Sequence, residues 1–366
     1  MEMLPKKSLN TFLMNTELIK RHTIRLDQSL KRALEMLNNV PENLTLFVVN
    51  NDDQLVGSLT DGDIRRGLLN GLAVDDTVEM FMHKQFKFIR QNIFTLNQIK
   101  ELRERKIELV PMVDESMHIV RLVDLIKSKS ILPIEVIIMA GGKGERLKPL
   151  TEYTPKPLLK VGDKPILEHN LLHLASYGID RVHISVNYLG GMIKDYFGNG
   201  EQLGMNIRYI EENKPLGTLG SAALVSDIKY EHVLVMNADV LTNIDFEDFF
   251  SEFILTNAIM SVASVPYKVS MPFAVLETSD NRVLSFSEKP EYTYYTNAGI
   301  YLLRKELLSR IPVQAVYHAT DLMQDIINRN EKLTQYSIRG FWMDIGRKED
   351  FEKAQIEVRH LYNKQH

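Results

Sequence analysis

The feature that most constrains this chain is a regular alternation beginning at Ile134. Short apolar runs (Ile134 to Ile138, Val182 to Val186, Ile207 to Glu212, His232 to Asp239) are separated by helical stretches, the first with Leu167, Leu171 and Leu174 on one face. Apolar runs of this length bounded by turn residues read as buried strands, and spacing of three to four reads as a helix face. Gly178 is placed to stop that first helix, and a further helix is expected near Gly220–Ser226. Strands and helices in alternation imply a mostly parallel α/β sheet covered on both faces. Ligands of such sheets sit at the carboxyl ends of the strands.

At 366 residues the chain has room for two or three domains, each with its own core. A net charge of −4 lacks the basic footprint of general nucleic-acid binding. There is no cysteine, which excludes disulfides, thiolate nucleophiles and cysteine-held zinc. The opening "MEMLPKKSLNTFLMNTELIK" has no continuous apolar core of a leader peptide, and no run is long enough to span a membrane. A cytoplasmic protein without membrane partners is expected. A break is expected at "SKSILPIEV", where small polar residues and Pro133 interrupt the helical pattern.

Before that break the sequence repeats itself. "LFVVNNDDQLVGSLTDGDIRRGL" reads as strand, Asn/Asp turn, strand and a helix from Asp61. "LVPMVDESMHIVRLVDLIK" reads the same way, and each copy follows a helical stretch, "SLKRALEMLNNV" or "NQIKELRERK". The first copy, through Gly57-Ser58-Leu59-Thr60-Asp61-Gly62-Asp63, resembles a CBS motif. The resemblance implies that residues 1–130 form an α/β CBS-domain pair. It also implies an adenine nucleotide, with Thr60 on a phosphate and Asp63 on ribose hydroxyls. The competing reading makes Thr60 a helix cap with acids favoured at the helix start. The second copy, with Arg121-Leu122-Val123-Asp124, lacks the pattern.

The loop leaving the strand at Ile134 is "MAGGKGERLKPLTEYTPKPLLKVGDKP". It is no P-loop, because Glu145 and Arg146 follow Gly144 where Lys-Ser/Thr is required. It is no dinucleotide fingerprint either, because Leu147 takes the last glycine position.

Gly141-Gly142-Lys143-Gly144-Glu145-Arg146-Leu147, followed by Pro155-Lys156-Pro157-Leu158, resembles the signature of the sugar-1-phosphate nucleotidyltransferases. "EENKPLGTLGSA", "MNADV", "FSEKP" with "NAGIYLL", and "WMDIG" match further family stretches in family order. The resemblance covers 134–357 and implies a Rossmann-like catalytic domain over 134–366. The implied reaction joins a nucleoside triphosphate to a sugar 1-phosphate. The nucleophile is then already an anion, so catalysis is positioning and charge neutralisation. Backbone N–H groups of Gly141 and Gly142 would meet phosphates, with Arg146 and Lys156 as catalytic cations. Asp239 and Asp344 match the family's metal positions, for Mg2+ held by two carboxylates and substrate phosphates. Lys289 would neutralise the sugar phosphate, with Glu288 and Asn297 on the sugar.

Glu211 and Glu212, with Gly217 and Thr218, are expected to read the base. Relatives using uridine or thymidine triphosphate usually carry Gln at the position of Glu212. A carboxylate only accepts hydrogen bonds, and guanine offers two adjacent donors, so Glu212 favours GTP. The closest group in overall pattern is the CBS-fused guanylyltransferases, which include the glucosamine-1-phosphate guanylyltransferases of legionaminic acid synthesis. Glucosamine 1-phosphate is the leading acceptor. Mannose 1-phosphate, a UTP- or CTP-using enzyme, and a non-catalytic nucleotide-sugar-binding subunit are the alternatives. Self-association into a homo-oligomer is expected from the same resemblance. His169 and His173 share metal spacing on one helix but lack a third ligand, and Phe246, Phe249, Phe250 and Phe253 read as packing.

Overall fold

The computed structural model describes residues 11–40 and 44–362. The reading of residues 1–10 as free of a leader core therefore lies outside the described residues. The chain divides into two compact units. The first takes the chain up to Glu135 together with Leu172–Val182 and Phe197–Ile207; the second holds Val136–Leu171, His183–Tyr196 and the chain from Arg208.

The first unit begins with α1 (Thr11–His22), β1 (Thr23–Arg25), α2 (Leu30–Asn38), β2 (Thr45–Val49), β3 (Leu55–Thr60), α3 (Asp61–Leu69) and α4 (Val78–Phe81). It continues through β4 (Ile89–Arg90), α5 (Leu96–Glu104), β5 (Leu109–Val113) and β6 (Ile119–Asp124). β1-β2-β3 and β4-β5-β6 are separate sheets of one design, a parallel pair followed by an antiparallel one. Both hairpins slip register at the same place, between Val48 and Val49 and between Met112 and Val113. The repeat read in the sequence is thus two copies of one supersecondary unit. Their hairpin turns meet: Leu55 N donates to Met117 O at 2.8 Å and His118 Nε2 to Asp52 O at 3.0 Å. Phe47, Leu55, Leu109, Val113 and Leu122 form a core from both copies.

Local chemistry sets the helix starts. Ser29 accepts from Arg32 N to begin α2, and its Leu30, Ala33 and Leu37 are buried on one face. Thr60 and Asp63 begin α3, and Thr95 and Gln98 begin α5, as reciprocal capping boxes. The helix expected after the second copy does not form. Asp124 instead accepts from Ile126 N at 2.9 Å and Lys127 N at 3.0 Å. A short acidic side chain bonded to its own backbone competes with a helical turn.

The remaining chain runs through β7 (Ile134–Met139), the glycine loop, β8 (Lys160–Val161), β9 (Lys164–Pro165), α6 (Ile166–Ser176), β10 (Arg181–Val186), α7 (Gly190–Phe197) and β11 (Asn206–Glu211). Next come β12 (His232–Asn237), β13 (Val240–Thr242), α8 (Phe246–Thr256), β14 (Met260–Ser270), β15 (Val275–Ser279), β16 (Arg282–Ser287) and β17 (Glu291–Arg304). The last elements are α9 (Ala319–Asn328), β18 (Leu333–Ser337), β19 (Trp342–Asp344) and α10 (Lys348–Tyr362). The large sheet has the order β11-β10-β7-β12-β17-β14-β18. It is dominated by parallel strands, and β17 runs against both of its neighbours. Ile137, Val233, Val235, Met260 and Leu303 are fully buried on it. Each such side chain stabilises the fold by about 1.5–3 kcal/mol relative to exposure.

Asp245 caps α8, and Phe246, Phe249, Phe250 and Phe253 are all buried, so that stripe is core. Gly178 follows α6 with φ 68°, and a Cβ there would come 2.9 Å from Ser130 O. His169 is buried and donates from Nε2 to Val161 O at 2.8 Å; burial lowers its pKa. His173 meets the Tyr177 ring edge-on. The segment Gly220–Leu224 is a single 3-10 turn rather than a longer helix. Leu219 N and Gly220 N both donate to Tyr317 O, which fixes that segment against the approach to α9. Among the described residues no helix is long and apolar enough to cross a membrane.

Candidate active site

The glycine loop follows the carboxyl end of β7. Gly144 has φ 65°, and a Cβ there would come 2.9 Å from Thr151 Cγ2 and 3.1 Å from Lys156 Cβ. Glycine thus lets the later part of the loop lie against its beginning, and Thr151 Oγ1 donates to Gly144 O at 2.8 Å to hold it. Leu147, Leu159 and Val161 from this segment pack with Met343, Ile345 and Val358 in one buried cluster. A Cβ at Gly141 would stand 3.0 Å from Glu212 Oε1, whereas a Cβ at Gly142 would meet open space.

That cluster joins the two carboxylates that the sequence sets far apart. β13 and β19 pair antiparallel with Val240 opposite Asp344, and Ile345 N donates to Asp239 O at 3.0 Å. Lys156, itself buried, donates from Nζ to Asp239 Oδ2. A Cβ added to Gly346 would lie 3.3 Å from Asp344 Oδ2 and 3.4 Å from an Arg146 guanidinium nitrogen, so this glycine lets the two side chains stand close. Burial, and then the charge of Asp239, raises the Asp344 pKa; Lys156 and Arg146 oppose the shift. Oδ1 of Asp239 and Oδ1 of Asp344 are buried without a hydrogen-bond partner. Two such atoms from adjacent carboxylates suit a hard cation with oxygen ligands. No group of three or more ligating His, Asp or Glu side chains occurs among the described residues, so substrate oxygens would have to complete such a shell.

Beside the loop, Glu212 is buried and oriented. Its carboxylate accepts from Ser185 Oγ and from Leu216 N at 3.2 Å, and its carbonyl accepts from Asn187 Nδ2 at 2.6 Å. Glu211 points the other way, exposed and paired with Lys194, which holds its carboxyl below the usual range. Glu211 is therefore not part of the cluster; strand alternation sends neighbouring side chains to opposite faces. Gly217 has φ 81°, and a Cβ there would come 2.6 Å from Tyr317 O. Thr218 Oγ1 accepts from Ala319 N at 3.1 Å. These two residues bolt the loop to the start of α9. Ser185, Asn187 and Gly346 were not legible as site residues, because a strand serine, a post-strand asparagine and a lone glycine all read as ordinary structure.

Asn297 stands at the base of a β14–β17 ladder. Its Oδ1 accepts from Gly299 N at 2.9 Å and its Nδ2 donates to Tyr301 Oη at 3.0 Å. Next to it Ala298 O accepts from Trp342 Nε1 at 2.9 Å, which links this strand to the one bearing Asp344. Glu288 and Lys289 do not join the cluster. The ladder runs on from Ser264↔Asn297 to Ser270↔Glu291, and both residues lie exposed past its end, Lys289 with φ 44°.

In the first unit, Thr60 and Asp63 satisfy one another. Asp63 Oδ2 accepts from Thr60 N at 2.9 Å and Thr60 Oγ1 at 2.6 Å, and Arg66 takes the other oxygen. A cavity of about 370 Å³ opens at the opposite end of β3, lined by Lys20, Thr23, Arg25, Asp53, His118 and apolar neighbours.

The glycine loop, the paired carboxylates and the sheet beneath them all lie in the stretch 135–360 that matches the family model described as nucleotidyl transferase. The chain belongs to the nucleotidyl transferase family. A CBS domain model matches residues 10–70, the first of the two repeats. Among relatives of this transferase, D-glycero-α-D-manno-heptose 1-phosphate guanylyltransferase of Aneurinibacillus thermoaerophilus is 31% identical over 62% of this chain and 99% of its own. Mannose-1-phosphate guanylyltransferase of Mycobacterium tuberculosis is 30% identical over 62% of this chain, which spans 64% of that relative. A Bacillus anthracis structure described as a glucose-1-phosphate thymidylyltransferase is 25% identical, with a TM-score of 0.50, covering 62% of this chain and 95% of the other.

Proposed function

We propose that this nucleotidyl transferase moves GMP from GTP to an aldose 1-phosphate. An oxygen of the sugar phosphate bonds to the α-phosphorus as the bond from that phosphorus to the bridging oxygen breaks, and pyrophosphate leaves. The observation that carries the reading is the cluster of Asp239 and Asp344, with unpartnered oxygens, beside Lys156 and Arg146.

Two polyanions must meet, so the chain's contribution is charge and placement. Backbone N–H groups around Gly142 meet phosphate oxygens where no side chain intrudes. Arg146 offers a planar fork to the triphosphate, and Lys156 supplies a fixed cation whose amine is held by Asp239. Asp239 and Asp344 would hold Mg2+, which when bound neutralises charge on the phosphates. Glu212 accepts from the two adjacent donors of guanine, with Ser185 and Leu216 N holding it in place. Asn297 lines the acceptor side at the base of its ladder, Glu288 accepts from a sugar hydroxyl or amino group, and Lys289 neutralises the sugar phosphate.

For the acceptor, glucosamine 1-phosphate follows from the resemblance read in the sequence. Mannose 1-phosphate is the second candidate, supported by the activities for which the heptose- and mannose-phosphate relatives are named. The test pairs four nucleoside triphosphates with both sugar phosphates and reads pyrophosphate release and product mass. Product from UTP or CTP without product from GTP refutes the base assignment. Undiminished pyrophosphate release by Asp239→Ala refutes the metal assignment, and no product from any pair supports the binding-subunit alternative.

A further inference from the structure

The strands β14 and β17 do not stop where the sheet does. β18 pairs with β14 only as far as Ser264, and β12 with β17 only over Ile300–Arg304. Beyond those points the two strands continue alone, paired with each other through Ser270↔Glu291, and the hairpin β15–β16 follows at the end. Glu291 stands six residues before Asn297 in β17, which is about 20 Å along an extended strand. Almost every residue from Pro266 to Thr296 on this arm is exposed or half-buried.

The arm is apolar for something so exposed. Tyr267, Phe273, Leu276, Phe286, Tyr294 and Tyr295 are 55–77% exposed. At about 150–250 Å² for a large side chain, these six alone present about 700 Å² of surface. Strand alternation divides them between the two faces of the arm, Tyr267 and its cross-strand partner Tyr294 on one and Tyr295 on the other. A partner that grips both faces would meet an area close to the ~800 Å² that each side of a standard interface contributes. Both outer edges of the arm also carry main-chain groups that no described strand pairs, a ready template for another strand.

Position makes this more than an association surface. The arm carries Glu288 and Lys289, which the proposed reaction places at the sugar and at its phosphate, past the far end of a continuous ladder. To bring Lys289 back to its own Asp239 and Asp344, the chain would have to break that ladder. A second chain can bring it there with the ladder intact.

We infer that the arm packs on a second copy of this chain and places Lys289 over the Asp239–Asp344 cluster of that copy, so that each site is completed in trans. The inference rests on the proposed role of Lys289 and adds which chain supplies it. A closed pair of identical chains exchanging arms satisfies the self-complementarity that two-fold symmetry demands.

The test is complementation. Asp239→Ala and Lys289→Ala chains carrying different affinity tags are co-expressed, and the mixed species is purified through both tags. In trans, the site that keeps Asp239 receives an intact Lys289, so the mixed dimer is expected to turn over at about half the wild-type rate while each parent falls at least a hundredfold. An inactive mixed dimer overturns exchange in trans and leaves the proposed reaction standing. Failure to recover any doubly tagged species, or monomers at micromolar concentration by light scattering, overturns the second copy as the occupant. A Lys289→Ala parent at the wild-type rate overturns the role given to Lys289 itself. As an independent measurement, Phe273→Ser with Phe286→Ser is expected to lower the mass by light scattering while the circular dichroism spectrum is kept. An unchanged mass counts against the arm as the contact.

Discussion

Replacing Asp344 by Asn separates the chemistry of the carboxylate pair from its cost to the fold. Burial and the neighbouring Asp239 raise the Asp344 pKa above the ordinary carboxylate range. A group that binds its proton more tightly when folded adds stability as the pH falls through that raised value, and subtracts it as the pH rises. Once the pH rises above that raised value Asp344 is therefore a destabilising element in the metal-free protein, and there Asp344→Asn should melt higher than wild type without metal. With metal the order reverses. A ligand at a hundred times its dissociation constant stabilises the state it binds by about 2.7 kcal/mol. For a unit of this size that corresponds to a rise in melting temperature of about 5–10 °C. Wild type should show this rise with magnesium chloride, and Asp344→Asn should lose most of it while turnover falls about 10²–10³-fold. Differential scanning fluorimetry between pH 5 and 8, with and without magnesium, reads the two melting differences, and pyrophosphate release reads the turnover. A metal-free variant that melts lower than wild type, yet keeps the full magnesium shift, refutes the reasoning.

Lys156→Ala should act with the opposite sign on stability, because it leaves Asp239 and Asp344 without their buried counter-charge; losses of about 3–5 kcal/mol are typical of such breaks, measurable by urea unfolding. Glu212→Gln should lower kcat/KM for GTP about 10–100-fold, the worth of a hydrogen bond to a charged group, and change UTP turnover far less; an equal loss for both nucleotides would assign Glu212 to the loop rather than the base. Thr60→Ala should cost about 0.5–2 kcal/mol of stability through the α3 cap, read from chemical unfolding. Gly144→Ala, where φ is 65° and Thr151 lies in the way, should cost about 1–3 kcal/mol and lower activity as the loop opens.

Much of this protein was legible because the signals are local. The strands announced themselves by apolar runs, α3 by its Thr-Asp cap, and the end of α6 by Gly178 with φ 68°. Asp239 and Asp344 could be paired from the resemblance alone, although nothing in their spacing says that β13 and β19 are neighbours. What escaped depends on competition or on direction. Asp124 turned its side chain onto its own backbone and replaced an expected helix with a turn. Glu211 and Glu212 are adjacent in sequence, but the strand sends one to solvent and the other to the loop. Lys289 lies in a family stretch, yet the ladder beneath it carries it away from its own cluster. Ser185 gave no sign, since only the folded neighbour Glu212 distinguishes it from any strand serine.

The two-stranded ladder of β13 and β19 has a consequence for how the protein comes into being. One of its strands, Val240–Thr242, lies about a hundred residues before the other, which comes close to the last described helix. During synthesis Asp239 emerges long before Asp344, and until Trp342–Asp344 has left the ribosome there is a single carboxylate where the folded protein has two. A nascent or prematurely ended chain can therefore form most of its sheet but lacks both the second carboxylate and the Met343, Ile345 and Val358 side chains on which the glycine-loop segment packs, so on the proposed reaction the capacity to react would arrive with one of the last strands to be made.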